Sequence, residues 1–431
     1  MTSQQPQTAV GNNLNRLLPY GGQPLSFDQH LTLHGPPAYR GAAGRLIDDL
    51  RAAGLTGRGG AAFPAHVKLA AVAGAGGRPV VVANGAEGEP AAHKDKTLLY
   101  ADPHLVLDGL QLAAEAVGAR QAFVYVHRDA RVLKRLHEAV EQRRAADADR
   151  VPVTVVEAPP RFIAGQESAV VHRIEGGPAV PRYSPVRVTE CGIGGAPTLV
   201  QNVETLAHMA LIGRYGASWF RTAGTFDEPG TMLATLHLPD THAQVIETAP
   251  GAALHHLLDL GRRPAQAVLV GGYHGTWLPV ERAAALPLSN AALRAEGASL
   301  GAGVLAALPV DRCGLRETAR VLAYLAGESA GQCGPCLNGL PRIAHAFAVM
   351  AEPGAHRTER ADVARWAGLV ERRGACHHPD GSMRLVRSAL TVFEEELWRH
   401  ERGSCVGVGN RTRPFLPLPA GANPHDDEDW S

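Results

Sequence analysis

Two kinds of hydrophobic run alternate along the first half of this 431-residue chain. Residues 79–83, 122–126 and 151–156 are short and rich in β-branched side chains, which reads as buried strand. Residues 46–51, 105–117 and 130–144 space their apolar side chains three and four apart, which reads as helix with one buried face. Strand and helix in alternation predict an α/β fold with a parallel, doubly wound sheet, its strand ends forming the ligand crevice. The pattern changes at Thr231. Residues 232–236, 245–248 and 267–270 read as strands around a helix at 252–260, a small α+β unit. From Ala302 the apolar stripes have helical spacing, over 316–326, 340–350, 360–370 and 381–400, as in a helical bundle. Residues 1–25 are polar and aperiodic, and 403–431 are Gly/Pro-rich before an acidic run, Asp426, Asp427, Glu428 and Asp429. Both ends are expected to be flexible. The expected units are therefore 26–228, 229–300 and 301–402, between flexible segments 1–25 and 403–431.

One stretch stands out chemically: Gly57-Arg58-Gly59-Gly60-Ala61-Ala62-Phe63-Pro64, with Lys68 beyond it. Nearly bare backbone can approach a phosphate and point N–H groups at it. The Ala-rich run that follows reads as a helix start, which favours an anion, and Arg58 and Lys68 would add positive charge. An ordinary Gly-rich turn is the alternative. The spacing is neither the dinucleotide G-x-G-x-x-G nor a P-loop, so a different phosphate-bearing cofactor is implied. The strand at 79–83 runs into a loop, 84–90, with two carboxylates, Glu87 and Glu89.

Composition narrows the classes. Lys plus Arg and Asp plus Glu balance at 42 each, which leaves no nucleic-acid footprint. The first fifteen residues have no apolar core and no long apolar run follows, so a cytoplasmic protein without a membrane span is expected. Six cysteines are too few for a disulfide scaffold in a chain this long. Cys333-Gly334-Pro335-Cys336 lies between two helices, and Cys376 follows after two more. Such thiols grip a metal or a cluster face, and no H-x-x-x-H pair follows them, which favours iron–sulfur over zinc. A redox-inert thiol pair is the alternative. Cys191, Cys313 and Cys405 stand alone and read as small buried apolar groups.

The motifs taken together resemble the NADH-binding flavoprotein subunit of respiratory complex I, the F-subunit family of NADH-quinone oxidoreductases, shared with NAD-linked hydrogenases and formate dehydrogenases. The matching stretches are 54–64 (GLTGRGGAAFP), 84–96 (NGAEGEPAAHKDK), 162–168 (FIAGQES), 175–176, 195–198 (GAPT), 201–206 (QNVETL), 271–273 (GGY) and 328–336 (ESAGQCGPC). The resemblance implies a Rossmann-like FMN-binding domain, then a ubiquitin-like, SLBB-type α+β domain, then a helical iron–sulfur domain. It implies FMN contacts at Gly57, Arg58, Gly59, Gly60, Lys68, Asn84, Gly165, Glu167, Gln201 and Asn202. It places Phe63 on the nicotinamide nucleotide and Glu87 and Glu89 near the dinucleotide, with Cys333, Cys336 and Cys376 carrying a 4Fe–4S cluster. The implied activity passes electrons from NADH or NADPH through FMN to that cluster, and then to a ferredoxin-like or two-iron thioredoxin-fold protein or a membrane reductase. The implied location is the cytoplasm, peripheral at the inner face of the plasma membrane.

Departures from the family pattern mark a divergent paralogue. Ala330 stands where the family has its first cluster cysteine, so a fourth ligand such as His377 or His378, or a cluster lacking one iron, is expected. Ala71 and Arg187 replace aromatics around the nucleotide, Ala86 a carboxylate, Gln166 a glutamate and Ala164 a cysteine. A relay subunit that has lost efficient NADH binding is the second reading. A zinc-stapled binding module is the third.

Overall fold

The structure is a computed structural model and describes residues 14–19, 23–39, 43–354, 357–407 and 414–419. Its first sheet has the parallel strands β1 (Val80–Gly85), β2 (Gln121–His127), β3 (Val153–Ala158) and β4 (Thr198–Asn202), in the order β3-β2-β1-β4. Helices α1 (Phe27–His34), α2 (Ala43–Ala53) and α3 (Ala65–Gly74) precede it. α4 (Lys94–Ala101), α5 (Pro103–Val117), α6 (Ala130–Ala145) and α7 (Glu167–Ile174) lie in its crossovers, and α8 (Val203–Phe220) follows β4. α5 starts on Asp102, which caps Leu105 N–H ahead of Pro103, and stops at left-handed Gly118. It is buried nearly all round, with Leu105, Val106 and Leu110 in the same core as Leu206 and Leu211 of α8. The chain leaves β1 toward β2 on one side and returns to β4 on the other. That reversal opens a crevice between the C-terminal ends of β1 and β4, where Asn84 lies opposite Asn202 in register.

The second unit has strands β5 (Met232–His237), β6 (Gln244–Thr248), β7 (Ala265–Val270), β8 (Thr276–Pro279) and β9 (Val304–Pro309), in the order β6-β5-β9-β7-β8. Its short helices are α9 (Leu254–Leu257), α10 (Val280–Ala284) and α11 (Asn290–Ala295). β9 is the central strand, so this unit runs past the boundary expected at residue 300. Its VLAALP sequence has no β-branched residue after Val304, and alanine and leucine read as helix. α9 is a single turn rather than the helix expected over 252–260, and Asp259 behind it is left-handed.

The third unit is helical: α12 (Gly314–Gly327), a π-turn at Pro335–Gly339, α13 (Leu340–Met350), α14 (Arg357–Val370), α15 (His378–Val392) and α16 (Glu394–Glu401). The single helix expected over 381–400 breaks at Phe393, whose ring packs edge-on against Trp277 at 5.3 Å and fills the space above Gly314.

Parts of both ends expected to be flexible are tied down. The N–H groups of Arg16, Leu17 and Leu18 donate to Glu247 Oε2, and Leu17 is buried. Phe415 and Leu416 N–H groups donate to the Glu317 carboxylate, and Leu416 is buried. A buried carboxylate requires donors, and distant backbone supplies them here, which no local pattern reveals. Residues 1–13 and the acidic run at 426–429 lie outside the described residues. No helix among the described residues is long and apolar enough to cross a membrane.

Candidate functional site

The Gly-rich stretch forms a closed loop ahead of α3. Gly57 N–H donates to Phe63 O at 2.8 Å, and Thr56 bridges Pro64. Gly60 has φ +106°, and a Cβ on Gly59 would come within 3.3 Å of Asn202 Cβ. The N–H groups of Gly59 and Gly60 bond to nothing among the described residues and remain available to an anion. Arg58 lines the cleft beside this loop and is also held by backbone. Its guanidinium donates to Thr56 O and Oγ1 at 3.0 and 2.8 Å and to Thr231 O at 3.2 Å, 3.8 Å from Glu204, and its N–H donates to Thr205 Oγ1. It fastens the loop to the second unit. Lys68 Nζ donates to Glu167 Oε1 at 2.6 Å and to Val200 O at 2.7 Å.

Beside the loop, the crevice widens into a cleft of about 440 Å³. Gly59, Gly60, Asn84, Ala86, Glu87, Glu89, Gly165 and Asn202 line it, so the structure brings these expected site residues together. Asn84 Nδ2 donates to Gly165 O at 2.8 Å, and a Cβ on Gly165 would sit 2.6 Å from Ala86 O. That close approach requires glycine. Gln201 is buried in β4 and Phe63 is half exposed; neither lines the cleft.

The charges in the cleft are mostly buried. Glu87 accepts from Asp95 and Lys96 N–H at the start of α4, at 3.2 and 3.4 Å. Burial, then the charge of Asp95, pushes its carboxyl up to about 7. Glu89 Oε2 accepts from Tyr273 N–H at 2.8 Å, while Oε1 is buried with no partner. Burial pushes this carboxyl up to about 8. Behind them lies an ion network absent from the sequence-derived site. Lys94 Nζ reaches Asp95 Oδ1 at 2.7 Å and Glu204 Oε2 at 2.9 Å, and Asn202 Nδ2 donates to Asp95 Oδ2 at 2.7 Å. Burial opposes the ammonium, but Asp95, Glu204 and Glu87 outweigh it and hold Lys94 above its ordinary pKa.

One wall of the cleft is aromatic and leads to the thiols. Phe162 and His274 line the cleft, with ring centroids 4.6 Å apart, and both pack on His378, at 5.6 and 5.0 Å. Phe162 N–H donates to Glu328 Oε2 at 2.7 Å, and Glu328 opens the stretch leading to Cys333. Cys336 is buried in the π-turn; Cys333 and Cys376 are partly exposed. Burial, then the neighbouring Cys333 and Cys376, pushes the Cys336 thiol up to about 12. Burial, then Cys333, also raises the Cys376 thiol, so the three sulfurs lie near enough to one another to interact. His378 is engaged elsewhere, by His274 at 3.0 Å and Leu325 O at 2.8 Å. The expectation that it serves as a fourth ligand does not fit those bonds. His377 is fully exposed and lies 3.6 Å from Asp380.

The substituted positions have local explanations. Gln166 is the N-cap of α7 and accepts from Ser168 and Ala169 N–H at 2.8 and 3.1 Å. Ala164 is buried, and its carbonyl accepts from Tyr125 OH. Ala71 and Arg187 are exposed. Lys94, Asp95, Glu204, Phe162 and His274 join the site without having been expected there. A Lys94-Asp95 pair after two buried alanines was the available signal for the network; nothing local marked His274.

Two family models match. The Nuo51 FMN-binding domain matches residues 50–211, and the NADH-ubiquinone oxidoreductase-F iron–sulfur binding region matches 316–400. The F subunit of NADH-quinone oxidoreductase from Streptomyces coelicolor is 30% identical over 376 residues, 83% of each chain. The F 2 subunit of the same enzyme from Rhizobium meliloti is 28% identical over 82% of this chain and 88% of its own. A NAD+-reducing NiFe hydrogenase in the H2-reduced state superposes with a TM-score of 0.78 at 30% identity, over 85% of this chain. This chain spans 63% of that hydrogenase chain.

Proposed function

The chain belongs to the family of NADH-quinone oxidoreductase F subunits, and from that premise we propose that it oxidises a nicotinamide nucleotide with FMN held in the cleft and passes the electrons to an iron–sulfur centre on Cys333, Cys336 and Cys376. FMN, when bound, supplies the exchange between two-electron and one-electron chemistry. The observation that carries this reading is the shared wall: Phe162, His274 and His378 join the cleft to the loop and helix that present the thiols.

The residues present fit both groups. Free N–H groups on Gly59 and Gly60, and the bare approaches at Gly59 and Gly165, would take the flavin phosphate and ring edge. Asn84 and Asn202 would orient it, each held in turn, by Gly165 and by Asp95. Arg58 and Lys94, which also line the cleft, hold the loop and α4 in place and would add positive charge beside the phosphate. Glu87 and Glu89 would border the nucleotide, and their raised pKa values would keep an anionic ligand from meeting two full charges near neutral pH. Three neighbouring thiols would hold a cluster with one corner free of protein sulfur. Partner subunits follow from the family's naming as subunits, and we assign the acceptor to a ferredoxin-like or two-iron protein, with this chain peripheral to the membrane.

Anaerobic stopped-flow mixing with NADH or NADPH tests the proposal. Fast flavin bleaching by either nucleotide supports the dehydrogenase. The exposed Ala71 and Arg187, where stacking aromatics were expected, favour a relay role as second reading, which predicts no bleaching by either.

A further inference from the structure

Far from the cleft, four donor side chains converge where the start of α12 meets the end of α16. Ligand atoms of Cys313, Glu396, His400 and Cys405 all lie within 4.8 Å of one another. Three of them are placed by regular structure, and Cys405 lies in the chain that leaves α16. Cys313 is the N-cap of α12, its Sγ accepting Arg316 N–H at 3.3 Å. Glu396 and His400 are four apart on α16, hence on one helix face. Gly314 N–H fixes Glu396 Oε2 at 3.1 Å. His400 Nε2 lies 3.6 Å from Cys313 Sγ and 4.0 Å from Glu396 Oε1. Glu396 and His400 are 4% and 0% exposed, and the Glu396 carboxylate faces the Cys313 thiol. A carboxylate, an imidazole and two cysteines gathered this closely out of water can ionise together only if a cation sits among them.

We propose that Cys313, Glu396, His400 and Cys405 form a closed, structural zinc site that ties the chain leaving α16 to the first turn of α12. Two sulfurs, an imidazole and a carboxylate are a tetrahedral zinc donor set. Zn–S of about 2.3 Å and Zn–N of about 2.0 Å put tetrahedral sulfur and nitrogen about 3.5 Å apart, against 3.6 Å here. Four protein donors leave no position for substrate, so the metal is structural rather than catalytic. The site is separate from the thiols of the electron route. Cys313 starts α12 and Cys333 follows its far end, and a 14-residue helix spans about 21 Å.

The test is metal analysis of the full-length holoprotein, purified without added metal. About one zinc per chain is expected, lost in Cys405→Ser and retained in Cys333→Ser, with FMN content the same in Cys405→Ser as in wild type. Cysteine alkylation mapped by mass spectrometry on the wild type needs no variant to fold. Exposed Cys191 should react at once, while Cys313 and Cys405 react only after zinc is stripped with dipicolinate. Unchanged zinc in Cys405→Ser, a Cys313–Cys405 disulfide, or immediate alkylation of Cys405 in the zinc-replete protein would overturn the assignment. None of these results depends on nucleotide oxidation, so they leave the proposed function to its own test.

Discussion

Replacing Lys94 with Met probes the electrostatic floor of the cleft. Lys94 is 3% exposed and lies within 3 Å of two carboxylate oxygens, on Asp95 and Glu204, both buried. Methionine keeps the stem's packing but removes the charge. Glu204 would then keep Arg58 at 3.8 Å and Leu233 N–H, and Asp95 would keep the neutral Asn202 amide. Breaking a buried ion pair from one side costs about 3–5 kcal/mol, because an uncompensated charge stays behind. The loss has a pH signature. Burial already raises the Glu204 pKa against the pull of Lys94 and Arg58, and without Lys94 it rises further. An acid whose folded pKa is raised binds its proton more tightly when folded, so the penalty is small at low pH and grows as pH rises through that pKa. Urea unfolding of wild type and Lys94→Met, each at pH 5.5 and pH 8, reads this directly. The variant should lose about 3–5 kcal/mol at pH 8 and clearly less at pH 5.5, and it should release FMN on dilution as Asp95 lets go of Asn202. A deficit below about 1 kcal/mol, or one that does not change with pH, would refute the reasoning.

Three further outcomes are expected. Gly88→Ala would place Cβ 2.4 Å from Phe162 O and 2.7 Å from Arg161 O, backbone that cannot yield, so the variant should lose about 1–3 kcal/mol and its flavin, measured by bound FMN per chain. Gly74→Ala, with open space around its Cβ, should keep both. Glu89 ionises at about 8, so the KM for NADH should rise as pH climbs through 8 and the carboxylate begins to repel the dinucleotide; Glu89→Gln should flatten that rise, and an unchanged profile would count against Glu89 facing the nucleotide. Burial opposes protonation of His30, but hydrogen bonds to Asp102 and Asp108 outweigh it and raise the pKa to about 8. Its contribution, about 2 kcal/mol, is present in full below pH 6.5 and lost as pH passes 8, so the stability difference between wild type and His30→Gln in urea should shrink over that window.

The α/β order of the first unit was legible because its strands are short β-branched runs and its helices carry clean stripes. The cleft's position was legible through the Gly-rich loop and Asn84, both local signals. β9 was not: an Ala/Leu run carries no strand signature, and only pairing with β5 and β7 makes it one. The partners of Arg58 were not legible, because a sequence shows its charge but not that Thr231 and Glu204, far along the chain, hold it. His378 presents the reverse case. It lies two residues from Cys376, yet a bond to His274 across the domain interface takes it away from the thiols. Cys313 and Cys405 read as solitary because only the packing of α12 against α16 makes them neighbours.

Anaerobic reduction by NADH, followed by electron paramagnetic resonance and flavin absorbance on the same sample, tests the account most directly. The flavin should bleach and a reduced iron–sulfur signal should develop with it, the signal alone being lost in Cys336→Ser. Flavin that bleaches fully over iron that stays oxidised, or protein that carries no iron after anaerobic reconstitution, would contradict it.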